Sequence, residues 1–240
     1  MARLLVDLLW RDHPAAPRRG SRGPQAQVAT GTVVERAVGL ADAGGLDAVT
    51  VRALGDAVGI SPMSVYTHVN SRDDLLVLMA DHVHGQHPRP SFGRASWRTR
   101  VRRVADSNRE LLRAHAWLLA TDDPRTALGP GTIAKYDHEL HALDGTGLGH
   151  LDRDAALTLV VDLARSHAAA VAGGRVPDGF EDLWADSAGR LTTYLGEAYP
   201  LAQEIGRAAG ESMGGPYDPD RAWEFGLARV VAGLADLVEG

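Results

Sequence analysis

Hydrophobic residues recur at steps of three and four in a short segment near residue 50, which is the spacing of one face of a helix. The members of this stripe are Val51, Leu54, Ala57 and Val58. Thr50 precedes them with a side-chain oxygen that can cap a helix, and Gly59 follows as the residue type that most readily adopts a left-handed conformation. The pattern predicts a helix over residues 51–58 that ends in a tight turn.

Two further helix starts follow closely. Ser61 is an N-cap candidate, and Pro62 stands in a first turn where its missing N–H costs no hydrogen bond. The residues after them mix apolar groups with groups that hydrogen-bond, so this helix is too short and too polar for a core. Ser71 and Asp74 then form the signature of a capping box ahead of a long apolar run. Two short helices joined by a turn over residues 50–69, with a longer helix behind them, have the layout of a DNA-reading helix-turn-helix.

The rest of the chain also has helical periodicity. Further helices are predicted over residues 32–43, 72–87, from Trp97 onwards, 132–143, 152–171, and from about 218 to the C-terminus. Period-two alternation rich in branched residues, the pattern of a strand, is not sustained anywhere. We therefore predict an all-α fold. Segment 152–171 is apolar on all sides, so we expect it to be buried in the core or against a partner.

The periodicity and the breaks between helices divide the chain into three parts. Residues 1–27 are predicted to form a basic flexible arm, residues 28–87 a three-helix DNA-binding domain that contains the helix-turn-helix, and residues 95–240 a larger helical domain for effector binding and dimerisation. The net charge of −6 is unevenly spread over these parts, because residues 1–72 hold eight arginines against six acidic residues. Arginines cluster in the first part, among prolines and glycines, at Arg18, Arg19 and Arg22. This cluster is either a flexible basic arm that neutralises phosphates or a solvated terminus without contacts.

Composition restricts the chemistry. A chain of 240 residues that is 45% hydrophobic has ample material for a core, and the absence of cysteine excludes disulfides, thiolate metal sites and a cysteine nucleophile. No run approaches the ~18 apolar residues that span a bilayer, so we expect a soluble cytoplasmic protein. His82, His84 and His87 crowd one helix end, but the first two point to different faces. We predict neither a metal site nor a cofactor.

The stretch VVERAVGLADAGGLDAVTVRALGDAVGISPMSVYTHVNSRDDLLVLM at residues 33–79 resembles the N-terminal domain of tetracycline-repressor (TetR) family regulators. The features that carry the resemblance are Gly44-Gly45-Leu46, the Val65-Tyr66-x-His68-Val69 segment, and Leu75-Leu76 at the start of the next helix. The C-terminal part is similar to the tetracycline-repressor subclass through Trp97, Leu128-Gly129-Pro130 and Phe225-Gly226-Leu227. The resemblance implies an all-helical homodimer that reads a pseudo-palindromic operator and uses residues 152–171 and the last helix as its interface.

The resemblance also implies roles for individual residues. Base-edge and backbone contacts are expected from Ser61, Met63, Ser64 and Thr67. Contacts to DNA, mostly to phosphates, are expected from Arg52, Tyr66, His68 and Arg72. The alternatives are a surface salt bridge for Arg52 and a core position for Tyr66. The operator of the tetracycline repressor is not expected here, because Pro62, Met63, Ser64 and Thr67 replace the residues that the repressor carries.

The helical domain at residues 95–240 is larger than dimerisation requires, which favours a ligand-responsive repressor that a small molecule releases from DNA. The candidate pocket residues are isolated polar or aromatic groups on apolar helices. They are Trp117, Tyr136, His138, His167, Trp184 and Tyr194. Each of them singly is more often an ordinary core or surface residue. The magnesium-chelating pattern of the tetracycline repressor is not recognisable, so tetracycline is not the predicted effector.

Two other functions were weighed. A constitutive DNA-binding regulator would use the same helix-turn-helix without an effector. A serine hydrolase would use Ser212, because residues 210–214 match the G-x-S-x-G pattern of a nucleophile elbow. That elbow needs a strand before the serine, whereas the sequence predicts a helix end followed by a loop. We therefore expect a regulator and not an enzyme.

Overall fold

The computed structural model describes residues 3–16, 28–173, 179–213 and 218–239, and this part of the chain contains eleven α-helices and no strand. The helices are α1 (Leu5–Leu9), α2 (Thr30–Gly44), α3 (Val51–Val58), α4 (Pro62–Val65), α5 (Arg72–Gln86), α6 (Trp97–Ala114), α7 (Pro130–Leu140), α8 (His150–Ala172), α9 (Phe180–Leu195), α10 (Pro200–Met213) and α11 (Pro219–Glu239). Short 3₁₀ helices span Leu46–Ala48, Ala116–Ala120, Pro124–Leu128 and His141–Leu143. The predicted all-α class is confirmed.

The capping signals near residue 50 form as expected. Thr50 Oγ1 accepts a hydrogen bond from the backbone N–H of Ala53, 3.1 Å away, and Gly59 ends α3 in the left-handed conformation with φ of 72°. Ser71 Oγ accepts from the N–H of Asp74 at 3.0 Å and so caps α5. These bonds satisfy N–H groups that have no partner inside a helix. We call α2, α3 and α4 together the reading head.

α4 is shorter than the sequence predicts. Its α-helical part covers only Pro62–Val65, and the chain then continues in tighter turns, with N–H bonds from Thr67 to the carbonyl of Ser64 and from His68 to that of Val65. The Thr67 hydroxyl also donates to the carbonyl oxygen of Ser64, so a local side-chain bond accompanies the tighter turn where the regular helix stops.

The N-terminal segment corrects the expectation of a flexible arm in part. α1 is a helix whose Leu8 and Leu9 are buried in the core, and it packs against α5. The short apolar run LLVDLL therefore forms a packed helix. Arg18, Arg19 and Arg22 lie outside the described residues.

The C-terminal half is organised around α8, which packs against α6 and α11. One face of α8 is buried, at Ala156, Val160 and Ala164, whereas Leu151 and Leu159 on other faces are exposed. By length and composition alone α8 would be long and apolar enough to cross a membrane. Its packing against two other helices identifies it as a core helix, so the expected burial holds for one face.

A close backbone contact joins α5 to α7. Gly131 lies against α5 so tightly that an added Cβ would stand 2.1 Å from the carbonyl oxygen of Asp81. The Asp81 carboxylate accepts a hydrogen bond from the N–H of Thr132 at 2.8 Å and thereby caps α7. Burial raises the pKa of Asp81, and the hydrogen bonds from Thr132 oppose that shift. The end of α5 is therefore fixed to the C-terminal half.

Candidate nucleic-acid interface

The segment from Ser61 to Val69, which we call the recognition segment, presents one exposed and one buried side. Val65 and Val69 are almost completely buried and anchor the segment from below. Met63 on the opposite side is 74% exposed and Tyr66 is 50% exposed. The exposure of Tyr66 excludes a position wholly inside the core. Large apolar groups that project from a short polar helix are available for contact with another molecule.

The hydroxyl groups of the recognition segment hold its shape. Ser61 Oγ lies 2.8 Å from Ser64 Oγ and also accepts from the N–H of Ser64 at 3.2 Å. Thr67 Oγ1 donates to the carbonyl oxygen of Ser64 at 2.7 Å. These bonds leave acceptor lone pairs and the Thr67 methyl group for an incoming partner.

Two arginines expected at DNA differ in their surroundings. Arg52 is exposed on α3. Arg72 is also exposed, but its guanidinium donates to the carbonyl oxygens of Leu46 at 2.9 Å and Val49 at 3.4 Å. Arg72 therefore pins the turn between α2 and α3, and only its remaining donors are available for a phosphate.

His68 does not have the expected position. It is 4% exposed, and its Nδ1 shares a hydrogen bond of 3.2 Å with Thr30 Oγ1 at the start of α2. An imidazole held between two helices of the reading head cannot reach a phosphate directly. The expectation of a direct DNA contact is corrected to a packing role, since this side chain ties the recognition segment to α2.

The candidate effector residues do not line one common pocket. Trp117 is buried and donates its Nε1–H to Asp42 on α2 at 2.7 Å, which links the two halves of the chain. Tyr136 donates to Asp154 at 2.7 Å. His138 hydrogen-bonds the carbonyl of Pro90 at 2.9 Å and stacks on Phe92. Tyr194 is 81% exposed on α9. Periodicity could not show these separations, because they depend on how the helices pack.

Three of the six residues line three different cavities. His167 belongs to a cavity of about 670 Å³ between α6, α8 and α11, where its Nε2 lies 3.2 Å from a carboxylate oxygen of Asp220. Trp184 belongs to an apolar groove of about 650 Å³ formed by α9 and α10. Tyr136 lines a smaller cavity of about 220 Å³ between α5, α7 and α8. We call the first of these the α6–α8–α11 cavity.

The histidines at the end of α5 pair with separate partners. His84 Nδ1 shares a hydrogen bond of 2.9 Å with Thr132, and His87 Nε2 shares one of 2.9 Å with Ser107. Burial lowers the pKa of His84 to about 3 and also lowers that of His87. Within the described ranges no group of three histidine, cysteine or acidic side chains is arranged to hold a metal ion.

Ser212 lies near the end of α10, where its Oγ accepts from Arg221 at 3.4 Å. The sequence predicts a helix end before it, but the helix continues through it. A nucleophile elbow places its serine between a strand and a helix, and the residues described around Ser212 form no such turn.

A fold with an exposed recognition segment on a small helical head, joined to a larger helical domain, defines a helix-turn-helix DNA-binding protein. Two family models match this chain: "Bacterial regulatory proteins, tetR family" over residues 33–79, and "Tetracyclin repressor-like, C-terminal domain" over residues 89–238. The chain belongs to the TetR family, which confirms the resemblance seen in its sequence.

Two relatives and one solved structure show what this chain is similar to. The chain is 31% identical to the HTH-type transcriptional repressor DrrR1 of Streptomyces coeruleorubidus, over 97% of this chain and 85% of the relative. It is 32% identical to an HTH-type transcriptional regulator of Saccharopolyspora erythraea over 52% of each chain. The solved structure of ActR from Streptomyces coelicolor in complex with actinorhodin matches with a TM-score of 0.71 and 26% identity, over 90% of this chain and all of ActR.

Proposed function

We propose that this protein is a transcriptional repressor that binds a pseudo-palindromic operator as a homodimer and leaves it when a small molecule binds. The observation that carries the proposal is the recognition segment, which two buried valines hold so that Met63 and Tyr66 project outward. A short helix of this kind fits the major groove, and a two-fold dimer places two copies about one duplex turn apart. The relative DrrR1, named as a repressor, supports the direction of regulation.

DNA contacts follow from exposure and chemistry. The Met63 side chain and the Thr67 methyl group suit the apolar surface of a thymine methyl, and Ser61 and Ser64 offer hydroxyls to either a base edge or a phosphate. For the DNA backbone we propose contacts from Arg52 and Tyr66, with Arg72 as a further donor, and the support is that all three are exposed. Arg18, Arg19 and Arg22 remain proposed phosphate contacts on sequence grounds. We also propose a cytoplasmic location, which is supported by the match to the family of bacterial regulatory proteins.

The homodimer is supported by apolar surface on the helices that the family resemblance assigns to the interface. Leu159 on α8 and Phe225 and Leu237 on α11 are each at least half exposed in the single chain. Exposed apolar side chains on neighbouring helices are typical of an association surface. Replacement of Phe225 by glutamate should therefore yield monomers in analytical ultracentrifugation.

For the effector we propose the α6–α8–α11 cavity. Its volume of about 670 Å³ suits a small molecule, and its wall combines Leu112 and Val171 with the charged groups of Arg109 and Glu224. ActR, which is bound to actinorhodin in its solved structure, supports a ligand-responsive reading. A ligand that prefers a dimer with a different spacing of the two reading heads shifts the population away from the form that binds DNA. By linkage, bound DNA lowers the affinity for the ligand by the same factor.

Selection of random duplex oligonucleotides by the purified protein tests the DNA-binding function. We expect enrichment of a palindrome, and we expect Met63→Glu to abolish binding with an unchanged melting temperature, because an exposed carboxylate would face phosphates. Leu201→Glu is the matched control, since Leu201 is 67% exposed on α10. Enrichment of no sequence would refute the function.

Actinorhodin is a suitable first probe for the effector. Added to the complex with the enriched duplex, it should release the protein, and Val171→Trp should reduce that release by filling part of the α6–α8–α11 cavity. If no member of a panel of aromatic small molecules releases the duplex, a constitutive regulator becomes the better description.

A further inference from the structure

A continuous path of polar contacts leads from the end of the recognition segment to the C-terminal half by way of Arg3, which lies just before α1. It begins at Arg3, whose Nη2 donates to the carbonyl oxygens of both Thr67 and His68 at 2.7 Å. Thr67 and His68 lie in the turns that follow α4, where carbonyl oxygens are not paired by a regular helix and need partners from elsewhere. Arg3, which lies more than sixty residues away in the sequence, therefore holds the C-terminal end of the recognition segment.

The main chain of Arg3 is held as firmly as its side chain. Its N–H donates to Asn70 Oδ1 at 3.1 Å, and its carbonyl accepts from Asn70 Nδ2 at 2.9 Å. Asn70 Nδ2 also donates to an oxygen of Asp74 at 2.8 Å. A single amide thus joins α1 to the first turn of α5.

Asp74 continues the path into the C-terminal half. In a capping box the carboxylate of Asp74 would accept a hydrogen bond from the backbone N–H of Ser71. Here that carboxylate instead lies 2.9 Å from the guanidinium of Arg125. Arg125 lies in the 3₁₀ helix Pro124–Leu128, immediately before α7, and also pairs with Asp123 at 2.6 Å. Asp74 is buried, and removal of one partner from a buried ion pair is destabilising because it leaves the other charge uncompensated.

α1 reaches the same 3₁₀ helix by a second route. Leu8 and Leu9 anchor α1 in the core, and the indole N–H of Trp10 donates to the carbonyl of Leu128 at 2.8 Å. A cleft of about 400 Å³ lies between α5 and the segment around the start of the 3₁₀ helix Pro124–Leu128, and residues of both line it. Polar bonds, as well as packing, therefore hold the 3₁₀ helix in place relative to the reading head.

We propose that α1 and Arg125 form a strap that fixes the recognition segment relative to the C-terminal half, with Arg3, Asn70 and Asp74 as positioning residues. The strap rests on the DNA-binding function proposed above. The recognition segment has a single regular helical turn, so its orientation depends on what holds its far end. The strap holds that end, and it connects to the 3₁₀ helix ahead of α7, where a ligand-dependent shift would be transmitted.

The experiment is a double-mutant cycle on the enriched duplex, with Kd measured by fluorescence anisotropy over a range of salt concentrations. Arg3→Ala and Arg125→Ala are each expected to weaken binding by about tenfold, the loss that follows from one charged hydrogen bond. The double variant should lose about tenfold in total and not a hundredfold, because either substitution already interrupts the path of polar contacts. Asn70→Ala interrupts the same path and replaces Arg3→Ala if that variant does not fold. Arg190→Ala, at an exposed arginine on α9, is the control for charge.

Salt dependence separates a strap from a direct DNA contact. Loss of a phosphate contact lowers the slope of log K against log salt by about one, whereas loss of a positioning contact leaves it unchanged. The strap is overturned if Arg3→Ala lowers the slope, if the single losses multiply, or if binding is unaffected. A parent protein that binds no duplex would instead refute the DNA-binding function, so the two failures are distinguishable.

Discussion

The reading head and the C-terminal half satisfy their polar groups in different ways. In the reading head, Thr50 and Ser61 hydrogen-bond within their own turns, so each partner lies only three residues away. In the C-terminal half, Asn108 on α6 donates to Glu139 on α7 at 2.7 Å and accepts from Lys135 at 2.8 Å, across a buried ion pair. The difference teaches that the helix caps of the reading head are encoded locally, whereas the buried polar groups of the C-terminal half depend on long-range packing.

The largest expected effect tests the contact that joins the two regions. In Gly131→Ala the new Cβ would collide with backbone atoms of α5 at Asp81 and Gly85, which cannot move as a flexible side chain can. We expect a loss of about 3 kcal/mol or more in the free energy of unfolding. Urea denaturation followed by circular dichroism measures this loss.

Gly39→Ala provides the matched control for that substitution. Gly39 is exposed within α2, and an added Cβ would meet no atom within 4 Å. Alanine should therefore stabilise the protein by about 0.5–1 kcal/mol through its higher helix propensity. If both glycine variants were equally stable, the close contact between α5 and α7 would not have the importance assigned to it.

The sequence was a good guide wherever a signal and its partner are neighbours. The caps at Thr50, Ser61 and Ser71 and the turn at Gly59 were all predictable, because each depends on a few adjacent residues. α1 was missed, since its short apolar run gains stability only by packing against α5. The roles of His68 and Arg3 were not predictable either, because their partners lie on distant segments. The scatter of the candidate effector residues has the same cause.

Acid should destabilise the junction around α5. Burial lowers the pKa of His84 from its usual 6.5 to about 3, so the folded protein stays unprotonated there while the unfolded chain takes up a proton. The unfolded state therefore binds more protons in this window, and stability falls as the pH drops below 6.5, by about 1.4 kcal/mol per pH unit from this residue. The lowered pKa values of His82 and His87 act in the same direction.

Urea midpoints at several pH values between 7 and about 4.5 measure that slope. The raised pKa of Asp81 acts in the opposite direction, because the folded state takes up that proton before the unfolded state does. His84→Gln keeps a hydrogen-bonding group beside Thr132 and should flatten the pH dependence. A variant with an undiminished slope would show that His84 is not the cause.

A smaller effect tests how the recognition segment reads bases. Thr67→Ser removes one methyl group but keeps the hydroxyl that donates to Ser64. If this methyl contacts a thymine, preference for thymine over cytosine at one operator position should fall by about fourfold, the value of one buried methyl group. Competition binding with matched duplexes measures the ratio. Equal losses on all duplexes would remove Thr67 from base readout.

The smallest expected effect concerns a single exposed charge on α3. Arg52→Ala should leave the unfolding free energy within about 0.5 kcal/mol, because a surface substitution removes little packing. If Arg52 contacts a phosphate, the salt slope of DNA binding should fall by about one and affinity should decline alike on specific and random duplexes. The control is Arg190→Ala in the C-terminal half, which removes the same charge from α9. An unchanged slope in Arg52→Ala would assign Arg52 to the surface salt-bridge role. The DNA contacts of the reading head would then come from the recognition segment and not from α3.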